Sequence, residues 1–299
     1  MGTVVISHDD CFDHVTPPGH PEQVARLDAV HAALAELTVT RVVAPIAAED
    51  DLQRAHPKSH VDAMKAAAPN EGWRSLDADT HMSVGTLAAA YRAAGAAVRA
   101  VDMVLVGEAA NAFCATRPPG HHAERDTAMG FCFFGNVAIA AKHALDHHGL
   151  SRVAILDFDV HHGNGTQDLV EDDPRILFCS SHQSPLYPGT GAAHETGVGN
   201  VLNVPLPDGT GSKRFRDAWR DVVFPRVDAF KPELIIISAG FDAHKADPLA
   251  GMMLETDDFA WVTARICDLA DRHCAGRVVS ALEGGYDLGA LGESVAAHV

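Results

Sequence analysis

The sequence has no two cysteines in metal-ligand spacing. Cys11, Cys114, Cys132, Cys179, Cys267 and Cys274 are scattered, several inside apolar runs, which argues against a cysteine-zinc site and against a disulfide framework. Basic residues are also scarce: Lys plus Arg is 23 against 40 for Asp plus Glu, a net charge of −17, so neither nucleic acid nor an anionic membrane is an expected partner. No apolar run is long and clean enough for a membrane span, since the Ala-rich residues 86–106 contain Arg92, Arg99 and Asp102 and read as a packed helix. Residues 1–12 lack a basic region followed by an apolar run, and Ile6 stands where a myristoylation signal needs Ser or Thr, so the expected compartment is the cytoplasm. No repeat, low-complexity tract or linker divides the chain, and one domain over residues 1–299 is expected.

What is present is the composition of a folded globular protein, with 299 residues, 47% hydrophobic and 21% charged. Short β-branched runs at 4–7, 41–44, 112–116, 153–156, 176–179, 201–204, 234–238 and 278–282 predict strands. Helical periodicity lies between them, near 22–37, 84–107, 136–148, 213–230 and 256–273. Runs that are apolar throughout, such as 234–237, suit a sheet covered on both faces, and the alternation implies parallel pairing through crossovers. The predicted class is α/β.

Ligands of open α/β sheets bind beyond the carboxyl ends of the strands. Four of these ends carry reactive side chains. They read Arg117-Pro118-Pro119-Gly120-His121-His122, Asp157-Phe158-Asp159-Val160-His161-His162-Gly163-Asn164-Gly165, Ala239-Gly240-Phe241-Asp242 and Glu283-Gly284-Gly285-Tyr286.

Asp157, Asp159 and His161 are spaced by two, so in an extended chain their side chains project to one side. A carboxylate and an imidazole at that spacing, completed by a carboxylate from another strand end such as Asp242, make three protein ligands and leave a position for water. Such oxygen and nitrogen donors suit Zn²⁺ and also accept Fe²⁺, Co²⁺ or Mn²⁺. His121 and His122 sit in a turn held by Pro118, Pro119 and Gly120, where imidazoles near neutral pKa can serve as base and acid, with Asp157 and Asn164 as orienting partners. Tyr286 follows two glycines that free the ring to swing toward the site and offer its hydroxyl to an oxyanion. The apolar Gly130-Phe131-Cys132-Phe133-Phe134 suits either a channel wall or core. Single histidines such as His8, His31, His143 and His273 read as surface or satisfied helix positions and are assigned nothing.

The combination RPPGHHA, GFCFFGN, DFDVHHGNGTQ, SAGFDAH and LEGGYDL resembles the zinc-dependent histone deacetylase and acetylpolyamine amidohydrolase superfamily, closest to its class II, IIb-like bacterial members. The resemblance begins near His20-Pro21-Glu22 and continues to Tyr286. It implies the arginase-deacetylase fold, a single α/β domain with an eight-stranded parallel sheet. By motif position, Asp159, His161 and Asp242 match the zinc ligands, His121 and His122 the catalytic histidines, and Tyr286 the catalytic tyrosine. Asp157 matches the acid behind His121, and Asn164 stands opposite His122. The resemblance also implies a structural K⁺ site from Asp157, the backbone oxygens of Asp159 and His161, Ser180 and Ser181. Gly130 and Phe131 match one channel wall, Tyr187 takes the opposite place often held by Phe, Leu249 occupies a gatekeeper position, and Arg26 matches a residue of an internal acetate cavity. Gly135 departs from the usual Asn and is expected to loosen local packing or the helix start.

The implied activity is hydrolysis of an acylated amine. An acyl-lysine deacetylase is favoured by Leu249 and the aromatic channel, whereas the −17 charge suits an acetylpolyamine-type small-molecule deacetylase. A non-catalytic metal-dependent binder would be expected to have lost Tyr286, a ligand or a histidine, and all are present. A homo-oligomer is compatible with the sequence. The rim is expected from residues 70–83 and 184–199.

Overall fold

A computed structural model describes residues 2–299. Its strands are β1 (Thr3–Ser7), β2 (Thr40–Val43), β3 (Trp73–Ser75), β4 (His81–Ser83), β5 (Asn111–Cys114), β6 (Val153–Asp157), β7 (Ile176–Gln183), β8 (Val201–Leu206), β9 (Leu234–Ala239) and β10 (Val278–Leu282). Eight of them form one sheet in the order β2-β1-β5-β10-β9-β6-β7-β8, while β3 and β4 form a separate antiparallel ribbon. Every neighbouring pair in the large sheet is parallel. The eight predicted strands are these eight, and β7 continues beyond residue 179 to Gln183.

Helices cover both faces. On one side lie α1 (Ala25–Ala35); on the other α2 (Glu49–Leu52), α3 (Lys58–Ala67), α4 (Thr86–Leu105), α5 (Asn136–Asp146) and α6 (Asn164–Val170). The side of α1 is completed by α7 (Ser212–Ala218), α8 (Phe224–Phe230), α9 (Thr256–Cys274) and α10 (Leu288–His298). Side chains alternate across each strand, so Val153, Ile155, Leu234 and Ile236 pack toward α4 and α5, and Ala154, Leu156, Ile235 and Ile237 toward α9. Both sets are buried, which is why these strands carry no polar alternation.

The segment predicted as one helix over 213–230 is helical throughout, with α7 and α8 running into each other through a widened π-type turn at Trp219–Val223. Pro225 accounts for the widening: it has no N–H to donate and its ring crowds the preceding turn, so the helix loosens there without breaking. The short helices α2, α3 and α6, the C-terminal α10 and the β3–β4 ribbon were outside the sequence prediction. Residues 86–106 form α4, a largely buried helix, and among the described residues no helix is long and apolar enough to cross a membrane.

Gly135 corrects an expectation. It does not loosen the start of α5: its N–H donates to His56 Nε2 at 2.9 Å, and a Cβ there would overlap the Leu169 side chain. Helix α5 starts at the next residue, so the glycine is a close packing contact.

Strands β5, β10, β9 and β6 are contiguous in the sheet. Their carboxyl ends are the four that carry the reactive side chains, so parallel pairing delivers all four to one edge.

Candidate active site

Strand β6 ends at Asp157, and the chain beyond it presents Asp159 and His161 toward Asp242, which follows β9. His161 Nδ1 lies 3.2 Å from Asp159 Oδ1 and 3.1 Å from Asp242 Oδ2. Asp159, His161 and Asp242 each offer a ligand atom, all within 4.8 Å of one another, and all three residues are buried. The carboxylates are aimed by backbone amides: Asp159 accepts from His161 (2.8 Å) and Gly284 (2.9 Å), and Asp242 from Val160 (2.9 Å). A Cβ at Gly284 would overlap both Asp159 Oδ2 and Asp242 Oδ2, so only glycine allows this approach.

The electrostatics of the trio match a cation. Burial, reinforced by the Asp159 carboxylate, pushes Asp242 up. Burial disfavours a charged His161, but hydrogen bonds to Asp159 and Asp242 outweigh it and raise the imidazole to about 10. His161 Nδ1 thus sits between two buried carboxylates. One imidazole and two carboxylates form a donor set that fits Zn²⁺.

The Pro-Pro-Gly turn after β5 brings both predicted histidines to the trio. Their rings lie 4.0 Å apart, but their partners differ. His121 Nδ1 is 3.0 Å from Asp157 Oδ2, and His122 Nδ1 is 2.7 Å from Asn164 Oδ1. Burial opposes charge on His121, yet the Asp159 and Asp157 carboxylates raise it well above the usual histidine range. Burial, with His121 and His161 nearby, holds His122 well below that range. Asn164 Nδ2 donates to Glu124 Oε1 at 2.7 Å, which turns its oxygen toward His122. His122 therefore donates from Nδ1 and keeps the lone pair on Nε2.

Tyr286 is held from behind. Its N–H donates to Asp247 Oδ2 at 2.7 Å, and the Arg26 guanidinium lies 4.8 Å over its ring. Arg26 also donates to the carbonyls of Gly285 (2.6 Å) and Glu283 (2.5 Å) and to Glu22 Oε1 (2.9 Å). Arg26 is thus a clamp on the tyrosine turn. Burial pushes the Tyr286 hydroxyl well above its usual range, so it remains a proton donor.

Four structural partners were missed by the sequence reading. Glu22 accepts from Arg117 and Arg26, and Glu283 accepts from the amides of Gly120 (2.7 Å) and His121 (3.1 Å). Asp247 holds Tyr286, and Glu124 orients Asn164. Glu22, Glu124 and Glu283 stand within or beside the quoted motifs, but nothing in the local pattern says where their side chains point.

A cavity of about 230 Å³ opens above the trio, lined by His122, Gly130, Phe131, His161, Leu186, Tyr187, Leu249, Tyr286 and Asp79. It gathers Gly130, Phe131, Tyr187 and Leu249. Phe131 has φ 68°, uncommon for a residue with a Cβ, and its N–H donates to Thr80 Oγ1 at 3.1 Å. Ser180 pairs in register with Asp157 across β6 and β7, its hydroxyl 2.9 Å from His182 Nδ1, while Ser181 Oγ accepts from Trp219 Nε1 at 2.9 Å.

The histone deacetylase domain family matches residues 20–299. "Histone deacetylase 10, chloroplastic" of Oryza sativa subsp. japonica is 42% identical over 301 residues, covering 93% of this chain and 68% of the relative. A "probable deacetylase" of Archaeoglobus fulgidus is 40% identical over 302 residues, covering 97% of this chain and 83% of the relative. The "histone deacetylase-like amidohydrolase" of Pseudomonas aeruginosa is 44% identical over 248 residues, covering 81% and 65%. Among solved structures, the crystal structure of the HDA15 HD domain matches with a TM-score of 0.94 at 35% identity, covering 99% of this chain and 87% of that one.

Proposed function

The chain belongs to the histone deacetylase family, with its arginase-deacetylase fold, and from that premise we propose that it is a zinc-dependent deacetylase of acyl-lysine side chains. The observation that carries this reading is the cavity: an apolar passage past Phe131, Tyr187 and Leu249 ends on His161, His122 and Tyr286. An aliphatic lysine stem fits such walls, and the amide it carries meets polar groups only at the floor.

Asp159, His161 and Asp242 would hold the ion, which supplies Lewis-acid polarisation of the amide carbonyl and a more acidic water. Fe²⁺ or Co²⁺ suits the same donors. His122 Nε2, with its free lone pair, takes the proton of the attacking water and later returns it to the departing nitrogen. His121, held by Asp157 at 3.0 Å, stands beside His122 as the second imidazole of the acid–base pair. Tyr286 donates its hydroxyl to the oxyanion of the tetrahedral intermediate. Cleavage of the C–N bond then leaves acetate and a free amine. A structural K⁺ would take Asp157, Ser180, Ser181 and the backbone oxygens of Asp159 and His161. Arg26 has N–H donors left beside those it gives to Glu22 and the tyrosine turn, which suits binding of the acetate product.

A small-molecule N-acetyl amine is the second reading. Asp79 at the cavity mouth favours it, because a carboxylate there, on a chain of net charge −17, attracts cationic amines. All six cysteines are unpaired, which supports a reducing compartment such as the cytoplasm. Replacing Tyr286 by Phe or His161 by Ala should abolish hydrolysis of an acetyl-lysine reporter while the fold survives; unchanged turnover rejects the assignments. The kcat/KM values for acetyl-lysine peptides, longer acyl-lysines and acetylated polyamines separate the substrate readings, a hundredfold preference being about 3 kcal/mol.

A further inference from the structure

A second group of metal-type side chains lies at the other end of α5 from the His121–His122 turn, roughly 16 Å along the helix at 1.5 Å per residue. Asp102, in the last turn of α4, and His143, His147 and His148, at the end of α5, each offer a ligand atom, and these atoms lie within 4.8 Å of one another. We propose that these four residues form a second metal site, a structural one, that binds Zn²⁺ and ties the ends of α4 and α5 together.

Asp102 Oδ1 is shared by two imidazoles, at 2.8 Å from His143 Nε2 and 2.7 Å from His148 Nε2. The third ring stacks on the first: the His143 and His147 centroids are 4.8 Å apart, and His147 and His148 are 4.9 Å apart. His143 and His147 are one helical turn apart and so share a face, while His148 lies just past the helix end and turns back toward it. Three imidazoles and one carboxylate make a complete tetrahedral set, with no position left for substrate. Nitrogen-rich donors select Zn²⁺ and its neighbours over Ca²⁺ or Mg²⁺.

Two further features point to a cation. The C-terminal ends of α4 and α5 both carry the negative pole of the helix dipole. Moreover, His143 Nδ1 is buried without a hydrogen-bond partner, with Asp51 Oδ1 3.5 Å away. Imidazoles that bind metals commonly give their other N–H to a carboxylate, and a small shift of His143 toward Asp51 completes that bond. His147 is exposed, which gives an ion access from solvent.

The test is zinc content of the purified 299-residue chain by mass spectrometry after equilibration in a zinc buffer. His147→Ala, His147→Ala/His148→Ala and Asp102→Asn should each hold about one ion per chain fewer than the parent. They should keep its turnover and lose the part of its Tm that depends on added Zn²⁺. Asp242→Ala, at the other site, should retain this ion, which separates failure here from failure of the proposed function. The exposed His147→Ala change leaves the core intact and guards against misfolding of the double variant. Equal zinc content in the parent and His147→Ala, together with identical Zn²⁺-dependent Tm, overturns the proposal.

Discussion

The Glu283 carboxylate accepts the backbone N–H of His121 at 3.1 Å, and the same oxygen takes that of Gly120 at 2.7 Å. A side chain at the end of β10 thus holds the histidine turn that leaves the neighbouring strand β5.

Glu283→Ala leaves two buried amides without acceptors, at about 1–3 kcal/mol each. The expected result is a lower Tm and a kcat reduced more than KM, since substrate does not touch this residue. Burial pushes Glu283 up to about 7, so Glu283→Gln, neutral and with one acceptor retained, should lie between Ala and the parent in both measurements.

Glu22 governs acid stability. Burial alone would raise its pKa, but Arg117 and then His14 outweigh this and hold the carboxyl well below the ordinary glutamate range. A carboxyl depressed in the folded state contributes stability above its unfolded pKa of about 4.3 and loses it as pH falls toward the folded value. Glu22→Gln should therefore cost about 3–5 kcal/mol near pH 7 in denaturant titrations, by stranding buried Arg117. The gap to the parent should narrow below about pH 4; a gap independent of pH contradicts the assignment.

Gly284→Ala places a methyl group against both Asp159 and Asp242. Zinc affinity should drop roughly 10–100-fold, as when other supports of metal ligands are altered. A chelator should abolish turnover of the parent, and Zn²⁺ or Co²⁺ should restore it. Restoration of Gly284→Ala at the same free zinc as the parent would contradict the crowding argument.

His122→Ala should lower kcat about 10²–10⁴-fold as the loss of a proton carrier. Glu124→Ala releases the Asn164 amide and with it the His122 tautomer, so its smaller loss should fall on kcat with KM unchanged. An equal loss in KM would place Glu124 in substrate binding instead.

The resemblance named the members of the site, and the local pattern carried much of its form. Spacing by two grouped Asp157, Asp159 and His161, although β6 itself ends at Asp157, and the central strands were readable because they alternate between two buried faces, whereas edge strand β2 is largely exposed. The helix over 213–230 was legible as a span, but its π-type turn was not, because periodicity does not register the wider turn that Pro225 requires. His143 reads in sequence as a single histidine, and the residue that draws it into a cluster, Asp102, comes from another helix.

The sequence by itself determined the elements, the loaded strand ends and the candidate ligands, because turn chemistry and side-chain periodicity act between residues a few positions apart. Only the tertiary structure decided that Asp242 meets His161 beside Asp159, that Glu283 holds the His121 turn, that Glu124 turns Asn164 so His122 keeps a free Nε2, and that Asp102 meets His143 and His148. Those contacts depend on strand order and helix packing, which bring together side chains far apart along the chain through burial that no local pattern encodes.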